Sequence, residues 1–182
     1  PKLRAKLTVS RDADYNEGAT ELYKHIENHR WREAAERCRN QPLETKIWVY
    51  RMDKKNDHTL WRMLPIHTAI LYRAPVYVIL DLIQAHPEGP SQVDDRKMLP
   101  VHMACRVICK EDVLRVLLQH KPDSAVAVDT KGRTPREIIM SDKTNEQESK
   151  VLKKVAARNK KNLLKVLGEF ETIHNRLPRA HT

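Results

Sequence analysis

Apolar residues in this chain come in short bursts at helical spacing, and the bursts recur. Leu64-Pro65-Ile66-His67-Thr68-Ala69 returns as Leu99-Pro100-Val101-His102-Met103-Ala104, and Thr134-Pro135 opens a further copy after the same interval of 35 residues. The two full copies agree at Leu64/Leu99, Pro65/Pro100, His67/His102, Ala69/Ala104, Val78/Val113, Leu82/Leu117, Gln84/Gln119, Pro87/Pro122, Val93/Val128 and Asp94/Asp129. A proline opens each first run, where its missing N–H costs nothing and its fixed φ suits a helix start. The run from Pro100 to about Val107 gives way to Lys110, Glu111 and Asp112, and Val113, Leu114, Val116, Leu117 and Leu118 follow. The spacing predicts two short helices joined by a tight turn, with Leu82, Ile83, Leu117 and Leu118 in the core. The second helix ends before Pro87 or Pro122, because proline disfavours helical geometry in the residue ahead of it. Ser124 to Asp129 then reads as extended, closing on a turn at Thr130-Lys131-Gly132.

The flanks vary this unit. From Ala19 the pattern is helical, with Leu22, Tyr23 and Ile26, then Trp31, Ala34, Ala35 and Cys38. This predicts a helix pair that lacks the Pro-His opening, as a terminal repeat does when it caps a stack. Thr45 to Met52 and His58 to Leu64 are rich in β-branched and aromatic residues and predict a hairpin around Asp53-Lys54-Lys55-Asn56-Asp57. The hairpin either projects Tyr50 and Trp61 or uses Trp48 and Trp61 to pack its own base. Ile138, Ile139 and Met140 predict one more short helix, broken by Ser141 to Asn145.

A long amphipathic run follows. Leu152, Val155, Leu163, Val166, Leu167, Phe170, Ile173 and Leu177 hold one side of a helix, and Lys150, Lys154, Arg158, Lys161 and Lys165 hold the other. A single helix from about Glu146 to Arg176 would span about 45 Å at about 1.5 Å per residue. Its inner half, to about Asn159, is expected to cover the last repeat, and its outer half to extend past the stack onto a partner. Pro1 to Ala13 is a basic leader without helical period, either a disordered arm or the remnant of a cleaved targeting segment.

A helix pair, an extended crossing and a turn at this period resemble the ankyrin repeat, whose opening Thr-Pro-Leu-His is matched by Leu64-Pro65-Ile66-His67 and Leu99-Pro100-Val101-His102. The Leu-Pro-x-His form is similar to divergent ankyrin-like proteins abundant in diatoms and related algae. Two departures stand out: leucine replaces the capping threonine twice, and a turn glycine is present only at Gly132. The resemblance implies an all-α, ankyrin-like helix-pair solenoid with one β-hairpin finger and a long C-terminal helix. Residues 1–18 would be a basic arm, 19–142 the repeats (19–63, 64–98, 99–133 and the start of a last unit at 134–142), and 143–182 the basic helix and tail. Family-type binding positions at turn tips and first helices map onto Leu60, Trp61, Met63, Leu71, Tyr72, Asp95, Arg96, Met98, Arg106, Val107, Thr130, Lys131 and Arg133.

Composition narrows the function classes. Lys and Arg number 34 against 24 Asp and Glu, a formal net charge of +10, so acidic partners are attracted before any specific contact forms. Cys38, Cys105 and Cys109 form no even framework, which points to an intracellular, reducing compartment such as cytoplasm, nucleus or organelle matrix. No run is long and apolar enough to span a membrane. His102, Cys105 and Cys109 have ligand-like spacing but no fourth partner, so buried thiols and a repeat-type histidine are expected rather than a metal site. With 4 glycines in the whole chain and no Gly-rich loop or nucleophile motif, neither an enzyme nor a cofactor or small-molecule substrate is expected. The expectation is a non-catalytic module that binds a protein partner, possibly inside a larger complex. The alternative is association with RNA or DNA through the basic C-terminal helix, where Lys150, Lys154, Arg158, Lys161 and Lys165 otherwise form a solvated face.

Overall fold

The protein is described by a computed structural model covering residues 12–53, 55, 58–141 and 150–176, without the side chains of 150–153. It is mostly helical with a small three-stranded sheet. The elements run β1 (Asp12–Asp14), α1 (Tyr15–Gly18), α2 (Glu21–Glu27), α3 (Trp31–Asn40), β2 (Trp48–Asp53), β3 (His58–Met63), α4 (Pro65–Leu71), α5 (Val76–Ala85), α6 (Pro100–Arg106), α7 (Glu111–His120), α8 (Pro135–Ser141) and α9 (Lys150–Arg176).

The helices form pairs, and the pairs form two rows. In one row α2 packs on α4, α4 on α6 and α6 on α8; in the other α3 packs on α5, α5 on α7 and α7 on α9. The apolar positions read from the sequence fill the space between rows: Leu82, Ile83, Leu117 and Leu118 are all buried in one continuous core. The α2–α3, α4–α5 and α6–α7 pairs each turn on a residue in the left-handed region, His29 (φ 56), Arg73 (φ 59) and Ile108 (φ 49). There the chain reverses with a hydrogen bond reaching five residues back, Arg30 N–H to the His25 carbonyl, Ala74 to Ala69 and Cys109 to Ala104. This arrangement satisfies carbonyls that a helix end would otherwise leave bare. A β-branched Ile108 in that region is strained by roughly 1–2 kcal/mol, held there by its buried side chain.

The sheet has the order β1-β2-β3, with β1 parallel to β2 and β2 antiparallel to β3, and a register shift at Arg51/Met52. The hairpin is thus formed, but β1 and α1 occupy part of what the sequence suggested was an unstructured arm. Residues 1–11 lie outside the described residues. A second correction concerns Ser124 to Asp129, expected to be extended. Pro122–Ala125 is a 3-10 turn instead, because Pro122 sets φ for a turn and the Ser124 hydroxyl donates to the Lys121 carbonyl at 2.5 Å.

The C-terminal helix is single over its described length, and it is a member of the second row. It packs on both α7 and α8 and runs in the direction of α7: Glu169 bonds Arg115 at 2.7 Å, and His174 lies 3.4 Å from Asp123. Its buried residues are Leu163, Val166 and Leu167, whereas Val155 is 51% exposed. This inverts the expectation that the half before Asn159 covers the last repeat. Leu163, Val166 and Leu167 supply the buried contact, and Glu169 and Glu171, the two carboxylates of an otherwise basic helix, add ion pairs to Arg115 and Arg136 along the same stretch. The half-buried Arg136 lies against a glycine inside the helix: its Nη2 donates to the Leu164 carbonyl, and a Cβ at Gly168 would sit 3.3 Å from that nitrogen, so a larger residue there would shift the guanidinium slightly. The expected helix start at Glu146 and the apolar Leu177 lie outside the described residues, as does the side chain of Leu152.

Candidate interaction surface

At one end of the helix pairs lie loops built twice by the same chemistry. The Asp94 carboxylate accepts the N–H groups of Arg96 (2.9 Å) and Met98 (2.7 Å), while its backbone exchanges bonds with Met98 and Lys97. Thirty-five residues on, Asp129 accepts from Lys131 (2.8 Å) and Arg133 (3.0 Å), and its backbone pairs with Arg133 and Gly132. A short aspartate side chain folding its own backbone into a turn is the Asx device. Each loop needs one left-handed residue, supplied by Gly132 (φ 70) in the second copy and by Lys97 (φ 53) in the first. The absent first turn glycine therefore reflects a lysine tolerating that conformation, at a cost. Burial opposes the charge on Asp129, but the Arg133 guanidinium and the backbone donors prevail and hold its pKa down at about 2. Asp94 and Asp129 were visible as a repeated identity in the sequence, and their role as loop builders was missed.

Histidines clamp these loops to the helices. His67 Nδ1 accepts the Leu64 N–H (3.3 Å) and Nε2 lies 3.1 Å from the Gln92 carbonyl; His102 does the same with Leu99 (3.1 Å) and Ala127 (2.9 Å). Nδ1 must be the acceptor, so Nε2 carries the proton and donates to the carbonyl. This is one half of a capping box: the histidine at the third helical position accepts the N–H of the residue ahead of the helix, and leucine, standing where a capping threonine would, has no acceptor for the N–H returned to it. At Thr134 the full reciprocal box is present, with Glu137 in the histidine's place. Burial pushes the His67 pKa down to about 4 and lowers that of His102, against the raising effect of their carbonyl partners.

The positions mapped from the resemblance divide on this geometry. Asp95, Arg96, Thr130 and Lys131 are exposed at the loop tips, and Leu60, Leu71 and Arg106 are exposed as well. Met98 is 3% exposed and belongs to the core, because the residue after the left-handed turn is drawn back under the loop. Arg133 spends its guanidinium on Asp129, with bonds of 2.7 and 3.0 Å. Met63 and Val107 are half-buried against the core. Trp61 stacks on Tyr23 at 6.3 Å and meets Tyr15 edge-on at 5.4 Å, and Arg62 lies over Trp48 at 4.2 Å while pairing with Asp12. Of the two roles open to Trp61, the packing of the hairpin's base is the one seen. Tyr72 meets His29 edge-on at 5.4 Å, and His29 meets Trp31 at 5.1 Å. Lys154, Arg158, Lys161 and Lys165 are exposed along α9; Lys150 begins that helix, and its side chain lies outside the described residues.

Cys38, Cys105 and Cys109 are free and buried. Burial raises all three thiols, Cys38 and Cys109 to about 12 and Cys105 well above its ordinary value, so none is a thiolate nucleophile at neutral pH. His102 is committed through both ring nitrogens to backbone, and among the described residues no group of His, Cys, Asp and Glu is placed to hold a metal ion. Among the same residues no helix is long and apolar enough to cross a membrane. Compared with protein-family models and with curated proteins, the chain matches none.

Proposed function

We propose that this chain is an ankyrin-type repeat solenoid that binds a protein partner and performs no catalysis of its own. The supporting observation is the pair of loops at Asp94–Met98 and Asp129–Arg133, closed by the same bonds, with the chain leading into each held by a buried histidine on the first helix of the preceding pair. Rigid loops that project Asp95, Arg96, Thr130 and Lys131 lose little conformational freedom on binding, and arginine is among the residues enriched at interface centres. The buried, unpaired thiols support a reducing compartment. The test is recovery of the partner from extract of the source cells, followed by titration against Asp95→Ala, Arg96→Ala and Lys131→Ala combined. Loss of a central anchor costs roughly 2 kcal/mol, so affinity should fall at least about tenfold with circular dichroism unchanged. Unchanged affinity in the folded triple variant would refute the reading.

A further inference from the structure

The opposite end of the helix pairs carries a second surface. The loops sit where second helices end and first helices begin, so the turns inside each pair lie at the far edge. That edge is continuous: the His29 ring is 5.4 Å from Tyr72, and Arg73, Lys110 and Asn159 line one cleft of about 140 Å³ whose apolar walls include Ile70, Ile108 and Val113. The first, second and third turns and the middle of α9 therefore follow one another in space. Along this line stand Arg30, Arg73, Arg106, Lys110, Lys154 and Arg158, every one exposed, and none pairs with a carboxylate among the described residues. The carboxylates flanking the turns are engaged elsewhere. Glu27 accepts the Tyr15 hydroxyl (2.7 Å), Glu111 holds Arg115 (2.9 Å) and Asp112 accepts the Val113 N–H (2.8 Å).

We propose that this edge, from the Arg30 turn to Arg158 on α9, binds single-stranded nucleic acid along its phosphates. Three features favour that polyanion over an acidic peptide. The cations are spread one turn after another, at the roughly 8–10 Å separation of packed helices, which suits a continuous backbone rather than one cluster of carboxylates. Four of the six are arginines, whose planar fork matches phosphate oxygens. The exposed His29 ring lies among them, backed edge-on by the half-buried Trp31 and Tyr72, and an aromatic face beside a basic track accepts bases of any sequence. The cleft bordered by Arg73 and Lys110 also has Ile70, Ile108 and Val113 in its walls, so competition by an acidic peptide is the arm of the test that separates the two ligands.

The experiment is fluorescence anisotropy of a labelled oligo-uridylate of about 20 nucleotides, longer than the site size of a typical single-strand binding fold, with a poly-glutamate peptide of equal charge as competitor. Arg73→Asn, Lys110→Ala and Arg158→Ala are combined in one variant, asparagine being chosen because it tolerates the left-handed backbone at Arg73. Arg96→Ala, Lys97→Gly and Lys131→Ala remove the same charge from the opposite end. The native chain should lose affinity steeply between about 50 and 200 mM salt. The edge variant should bind at least about tenfold more weakly, with a log–log salt slope shallower by about 2, at about 0.7 for each lost phosphate contact on a single strand. The loop variant should keep the native slope. Equal losses in the two variants, no binding of the oligonucleotide at low salt, or competition by poly-glutamate at equal charge concentration would each overturn the proposal.

Discussion

The buried histidine bridges make the fold sensitive to mild acid in a calculable way. His67 is fully buried, with Nδ1 on the Leu64 N–H and Nε2 on the Gln92 carbonyl. A second proton would have to replace the Nδ1 acceptor by a donor facing another N–H. Burial accordingly depresses the folded-state pKa from 6.5 to about 4, so the unfolded chain binds the proton more tightly. The stabilisation is complete above pH about 6.5, is lost as pH falls toward about 4, and loses nothing further below that. At about 1.36 kcal/mol per unit the loss is about 3 kcal/mol from this residue, a large share of the roughly 5–15 kcal/mol stability of a domain. His102 is shifted in the same direction and adds to it. The assay is urea denaturation at steps between pH 7 and pH 4, for the native chain and for His67→Gln. Glutamine has an amide donor and a carbonyl acceptor but lacks the ring that spans the Leu64 N–H and the Gln92 carbonyl together, so it keeps one bond at the expense of the other and the variant should be weaker at pH 7 by about 1–3 kcal/mol. It should lose less than the native chain on acidification, and the two stability curves should converge. Parallel curves would show that the acid loss belongs to the carboxylates and refute the histidine account.

Lys97→Gly should raise stability by about 1 kcal/mol, since Lys97 is exposed at φ 53 in the place of Gly132; a melting temperature that does not rise would mean the loop relaxes in solution. Leu117→Ala should destabilise by about 2–5 kcal/mol, with loss spreading to neighbouring helix pairs, and an unchanged thermal melt would misplace α7. Leu167→Ala in α9 should cost a similar amount, about 2–5 kcal/mol, whereas Val155→Ala, at a half-exposed site, should fall within about 0.5 kcal/mol of native; equal effects would undo the assignment of the half after Asn159 as the part that packs on α7 and α8.

The helix pairs were legible because two local signals coincide in them, a proline at the first helical turn and apolar residues at helical spacing, and neither needs a distant partner to be read. What escaped depends on contacts between elements. The long C-terminal helix has an unbroken apolar phase, and phase alone does not tell which stretch meets the core. The stretch that does carries Leu163, Val166 and Leu167 together with Glu169 and Glu171, and the change from lysines to glutamates opposite Arg115 and Arg136 was the available clue. Lys97 hid its left-handed backbone because lysine does not favour that region, so the residue type gave no sign of it. Strand β1 is the extreme case. Asp12-Ala13-Asp14 has no apolar alternation and two residues depleted in strands, yet it pairs with Trp48, Val49 and Tyr50 and fastens Arg62 through Asp12. Its conformation is dictated by an edge presented from elsewhere in the chain and by a cation that Trp48 has already positioned by stacking. The finger that distinguishes this chain from a plain repeat is therefore held by residues whose local sequence argues against the structure they adopt, and changing Asp12 should loosen the hairpin while leaving the helix rows intact.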